Sequence, residues 1–152
     1  GYPEIYAEEI SQNKSLMRDI FEKSKENMPI YAECGGLMYL GNKIVTNDKE
    51  YDMVGIFEGI SIMNDKLQRF GYCNGISNEN TPISKKGQVV KGHEFHYSEV
   101  SEDNEKDKSY KIEKNDGRNW SCGYRKKSLL AGYPHISFYS NIEFFKYLIE
   151  EL

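Results

Sequence analysis

Pro29-Ile30-Tyr31-Ala32-Glu33-Cys34-Gly35-Gly36-Leu37-Met38-Tyr39-Leu40, PIYAECGGLMYL, sets one cysteine between an apolar run and two glycines. Met28 to Glu33 reads as a short buried strand, and Leu37 to Leu40 as the start of a helix that stops near Gly41-Asn42. A sharp turn between them would lift the Cys34 side chain out of the carboxyl edge of a sheet. It would place the sulfur beside a helix N-terminus, which favours the thiolate, and aim free backbone N–H groups at a reacting carbonyl. Glycines at 35 and 36 would let substrate and backbone approach closely. Cys34 is therefore a candidate nucleophile. The same pattern also describes a small buried residue at an ordinary strand-to-helix turn.

Upstream, Glu8 to Asn27 has helical periodicity, with Ile10, Met17, Ile20, Phe21 and Ser24 on one face and Pro3 and Pro29 as boundaries. Helix, strand, glycine turn and helix follow the rhythm of an α/β fold with a parallel sheet. Gly1-Tyr2-Pro3-Glu4 reads as the tail of a strand-to-helix turn, so the chain is taken as N-terminally truncated, short of at least one βαβ unit. Downstream, Met53 to Met63, Gln68 to Ile76 and Gln88 to Val100 are strand-like, and Ser101 to Ser109 reads as a solvated loop. Tyr110 to Lys114 and Cys122 to Arg125 suit a hairpin around Asn115-Asp116-Gly117, and Leu129 to Phe138 a last core strand. Ser140 with Glu143 forms a capping-box pattern before a helix whose buried stripe would be Phe145, Leu148, Ile149 and Leu152.

A length of 152 residues suits one domain, and a net charge of −4 supplies no basic field for nucleic acid. No apolar run is long enough for a membrane span. Three cysteines without paired spacing argue against a disulfide framework and fit a reducing, cytoplasmic setting.

A cysteine nucleophile needs a base, and the chain has three histidines: His93, His96 and His135. His135, in Tyr133-Pro134-His135-Ile136-Ser137-Phe138, ends an apolar run just before a helix cap, where a second loop on the same sheet edge would lie. It reads equally as a structural histidine. In Gly92-His93-Glu94-Phe95-His96-Tyr97 the strand period puts Glu94 and His96 on one face and His93 on the other. Glu94 and His96 could converge on a site, whereas the three residues do not share a face as metal ligands would, so no metal is assigned.

Four blocks together resemble the C-terminal glutamine amidotransferase domain of the cobyrinate a,c-diamide synthase family: Gly1 to Glu4, the PIYAECGGLMYL elbow, Gly92 to Ser98 (GHEFHYS), and Tyr133 to Asn141 (YPHISFYSN). The resemblance implies a flavodoxin-like class I, triad-type fold. In it Cys34 attacks the side-chain amide of glutamine, and His135 is base and then acid. Backbone groups near Gly35, Gly36 and Gly1 would serve the oxyanion and glutamine site. It implies no cofactor on this chain. ATP and magnesium would belong to an N-terminal synthetase domain, which would hold the corrinoid and receive the ammonia.

Many triad glutaminases orient the histidine with a glutamate two residues on. Here that residue is Ser137, so Glu94 and Ser137 are the candidates for the orienting role. Cobyric acid synthases share a Cys-Gly-Gly elbow without the preceding glutamate, so the Glu33-Cys34 pair favours the diamide synthases. A nickel-sirohydrochlorin amidating relative is not separated by these residues. A docking module that no longer hydrolyses glutamine is the reading from another class. A sheet edge bared by truncation would favour pairing between chains, including a homodimer.

Overall fold

The N-terminal periodic segment is two helices rather than one. In the computed structural model, which describes residues 1–101 and 108–151, a 3-10 turn at Pro3–Tyr6 leads into α1 (Ala7–Gln12) and α2 (Lys14–Lys25). Asn13 separates them, because its Oδ1 accepts from Leu16 N at 3.2 Å and so caps α2 while ending α1. Met17 is buried beneath α2, and Ile10, Ile20 and Phe21 pack against the core, as the periodicity implies.

The chain then runs through β1 (Ile30–Glu33), α3 (Gly35–Leu40), β2 (Lys43–Thr46), β3 (Lys49–Asp52) and β4 (Ile60–Met63). It continues through β5 (Arg69–Ser77), β6 (Val89–His96), β7 (Ser98–Ser101), β8 (Lys108–Glu113) and β9 (Asn119–Lys126). It closes with β10 (Leu129–Gly132), β11 (His135–Ile136) and α4 (Ile142–Glu151). Seven strands form one sheet in the order β1-β10-β9-β8-β5-β6-β11, and four form another in the order β3-β2-β4-β7.

The α/β reading stands, but the sheets are mixed. Among the described residues only β1 with β10 and β2 with β4 run parallel; the other pairs are antiparallel. The middle of the chain connects its strands by short turns, and short turns reverse direction. The hairpin of β8 and β9 forms around the expected turn. Met53 to Met63 is strand only at Ile60–Met63, and its first half is irregular chain that buries Met53, Val54, Ile56 and Phe57. Lys108 and Ser109, read as loop, are buried at the start of β8. Residues 102–107 of that loop lie outside the described residues. The last helix is capped by Asn141, whose Oδ1 accepts from Glu143 N at 3.2 Å. Ser140 Oγ instead accepts from Lys91 N and donates to Ser137 O. In α4, Phe144, which the expected stripe omits, is buried, and Ile149, which it includes, is exposed. The side chains of Phe145, Leu148 and Leu152 lie outside the described residues.

One connection sets the shape of the large sheet. The expected single strand from Leu129 to Phe138 is broken at Tyr133-Pro134, since proline cannot donate to a ladder. β10 lies second in the sheet and β11 last. Five strand spacings would separate them by about 24 Å in a flat sheet, yet three Cα steps from Gly132 to His135 reach at most about 11 Å. The sheet must therefore curl until its two ends meet. Leu129, Leu130 and Ala131 of β10, Ile112 of β8 and Leu37 and Met38 of α3 are buried in the core. Each large aliphatic side chain among them contributes about 1.5–3 kcal/mol on burial.

Candidate active site

At the end of β1 the backbone turns sharply. Cys34 N donates to Gly132 O at 2.7 Å, the last rung between β1 and β10. Cys34 itself adopts φ 50° and ψ −106°, a conformation a side-chain-bearing residue holds at a cost of about 1–3 kcal/mol. Two contacts require the glycines that follow. A Cβ on Gly35 would sit 2.6 Å from Pro3 Cδ, and one on Gly36 would sit 3.0 Å from Ala32 Cβ. The N-terminal segment is thus packed directly on the turn. Tyr2 enters it in the left-handed region, at φ 60° and ψ 51°.

Cys34 lines a cavity of ≈ 600 Å³ together with Gly1, Gly35, Gly36, His96 and His135. The curled sheet brings these residues together from both ends of the chain. Glu94 and Ser137, the residues proposed to orient His135, are placed elsewhere. Ser137 is exposed, and its backbone N donates to Lys91 O at 2.8 Å. Glu94 points into a different cavity.

The residue that holds His135 is Glu33, a role the sequence reading did not give it. Glu33 Oε2 accepts from His135 Nδ1 at 3.1 Å. Its Oε1 accepts from Ile136 N at 2.8 Å and from Tyr31 OH at 2.7 Å. A carboxylate holding Nδ1–H leaves Nε2 of His135 with a free lone pair, the form a base requires. The sequence signal was the glutamate beside the cysteine. What hid it is distance along the chain, since His135 lies 102 positions away. Parallel pairing sets Glu33 opposite Gly132, three residues before the histidine.

The thiol of Cys34 is pushed above its ordinary value of 9.0, chiefly by burial. A hydrogen bond from the Gly35 backbone acts the other way, and the negative charges of Glu4 and Glu33 add to the rise. This reverses the expectation of a thiolate favoured by the helix start. α3 has only six residues, and desolvation outweighs the N–H groups at its end. Cys34 therefore rests as a thiol and needs a base at the moment of attack. Cys73 and Cys122 are buried thiols, each pushed up to about 12 by burial.

On β6 the strand period holds. Glu94 and His96 are buried on one face, while His93 lies on the other and stacks edge-on with Phe70 and Tyr72. Among the described residues no cluster of three or more His, Cys, Asp or Glu could hold a metal ion, and no helix is long and apolar enough to cross a membrane.

Residues 1–143 match the CobB/CobQ-like glutamine amidotransferase domain. The chain is 43% identical over 145 residues to cobyrinate a,c-diamide synthase of Listeria monocytogenes serotype 4b, covering 93% of this chain and 32% of that protein. Against the Clostridium tetani enzyme of the same name identity is 43% over 155 residues, or 99% of this chain and 35% of the relative. With that of Limosilactobacillus reuteri it is 39% over 157 residues, or 100% and 35%. The chain spans about a third of the length of these relatives, and it belongs to the CobB/CobQ-like glutamine amidotransferase domain family.

Proposed function

We propose that this chain is the glutamine-hydrolysing part of a cobyrinate a,c-diamide synthase. The observation that carries the reading is the shared cavity of Cys34 and His135, with the histidine held through Nδ1 by Glu33. Cys34 Sγ attacks the side-chain amide carbon of glutamine. His135 Nε2 takes the thiol proton and gives it to the leaving nitrogen, so ammonia departs and a γ-glutamyl thioester remains. Water, deprotonated by the same imidazole, then adds to the thioester and releases glutamate and the thiol. The Gly35 backbone, which favours the thiolate form of Cys34, would meet charge growing at the elbow. Gly1 and Gly36 complete the wall around the reacting amide.

The ammonia would serve a synthetase part, where ATP and magnesium activate the a and c carboxylates of cobyrinate. The shared name of the relatives supports that assignment over cobyric acid synthase and the nickel-sirohydrochlorin enzymes.

The test is labelling by 6-diazo-5-oxo-norleucine with mass mapping and a Cys34→Ser control. Modification confined to Cys34, with Cys73 and Cys122 untouched, is the expected outcome. Absence of labelling at Cys34 both here and in the complete amidating enzyme would overturn the nucleophile and leave a docking role.

A further inference from the structure

A second cavity, ≈ 200 Å³, is lined by Glu94, His96, Ser98, Trp120, Cys122 and Tyr133 among others. His96 and Ser98 also line the Cys34 cavity, so they are a common wall between the two spaces. That wall is locked. The His96 ring stacks on Tyr133 at 3.7 Å and 8°, and Tyr133 OH is 2.9 Å from Ser98 Oγ.

Three polar atoms of the chamber's lining lack partners. Glu94 is 1% exposed and His96 7% exposed, yet neither carboxylate oxygen of Glu94 nor Nε2 of His96 has a hydrogen bond. His96 Nδ1 donates to Ser98 O at 2.8 Å, so in the neutral ring Nε2 is an acceptor. Three acceptors then face one space. Nε2 and Oε1 stand 3.9 Å apart, too far for a direct bond. A tetrahedral nitrogen bonded to two acceptors at about 2.8 Å holds them about 4.5 Å apart, so the pair opens by about 0.6 Å to take one between them. Arg69 is also on the lining, where its guanidinium lies over Trp120 at 4.8 Å and donates to Gln68 O, so these partners rather than Glu94 hold it.

We infer that the Glu94–His96 chamber binds ammonium. The ligand must be small, must carry several N–H or O–H donors, and is favoured by positive charge because one of its hosts is a buried carboxylate. The neighbouring cavity supplies such a species if the glutaminase reading holds, and the inference rests on that reading for the ammonium's source. The chamber is then the first station for nitrogen released behind the His96–Ser98 wall.

The binding is read on this chain alone. Thermal midpoints are measured in rising ammonium chloride against tetramethylammonium chloride and potassium chloride at matched ionic strength. Wild type should rise more in ammonium, and Glu94→Gln and Glu94→Met should abolish the difference. The methionine variant serves if the glutamine variant does not fold. An equal rise in all three salts, a rise with potassium that matches ammonium, or a difference that survives both substitutions would each overturn the assignment, as would bridging by water alone, seen as no ammonium effect.

The route is read in the amidating enzyme, with 15N-amide glutamine competing against unlabelled ammonium in the medium. Glu94→Gln should lower the ratio of glutamine-derived to medium-derived product nitrogen about 10-fold, the effect of one hydrogen bond to a charged group. Glutamate release should stay within about 2-fold, because Glu94 does not line the Cys34 cavity. An unchanged ratio with normal glutamate release sinks the route. Absent glutamate release in the wild type sinks the glutaminase reading instead.

Discussion

Among the described residues are two glutamate–histidine pairs, and they are built in opposite ways. Glu33 accepts three hydrogen bonds, from His135, Ile136 and Tyr31, at the open edge of the large cavity. Glu94 is buried deeper and accepts none, although His96 stands 3.9 Å away. A satisfied carboxylate fixes a geometry, because every lone pair in use resists rotation of the side chain. An unsatisfied buried carboxylate costs stability in the empty protein, and a donor that enters recovers that cost. The first pair suits positioning and the second suits binding.

The comparison breaks most visibly at the proposed nucleophile. Cys34→Ser should reduce glutamine hydrolysis at least about 10³-fold, measured as glutamate release, with the fold retained by circular dichroism. Glu33→Gln should lower kcat about 10²-fold with little change in KM, since the amide cannot hold His135 in the same tautomer. The same substitution carries a second signature. Glu33 is one of the charges that raise the Cys34 pKa, so its removal lowers that pKa. Alkylation of Cys34, whose thiol titrates above its ordinary range in the wild type, should then begin to climb at lower pH. A role for Glu33 confined to stability would leave the pH profile where it was.

The pairs should also differ in sign. Glu94→Met removes a carboxylate without partners and should stabilise the chain in ammonium-free buffer by about 1–3 kcal/mol, read from the urea midpoint. Glu33→Gln should move the midpoint the other way, because Ile136 N and Tyr31 OH lose a charged acceptor. Asn141→Ala is the smallest effect, about 1 kcal/mol at the start of α4, and the corresponding change at Ser140 should not reproduce loss of that cap.

Much of this was legible along the chain because it is local. The elbow shows in PIYAECGGLMYL, the hairpin of β8 and β9 in Asn115-Asp116-Gly117, and the shared face of Glu94 and His96 in the strand period. The rest depends on what the chain meets from far away. Proline at 134 indicates a break in a strand, but only the topology shows that β11 continues at the other end of the sheet. Ser137 and Glu94 were candidates for orienting His135 because one is near it in sequence and the other is an acid beside a histidine. Glu33 takes the role because β1 and β10 are parallel neighbours. The rise of the Cys34 pKa was equally hidden, since burial is a property of the packed fold.

The 102 positions between Glu33 and His135 also place the site in time. A ribosome adding about 5–20 residues per second needs about 5–20 s to cover that distance. During synthesis the thiol of Cys34 and its neighbouring carboxylate emerge first, and the imidazole that would activate the sulfur arrives after almost the whole sheet has been made. The nascent chain therefore carries that cysteine alone, and the cavity shared by Cys34 and His135 is assembled only when its last strand docks.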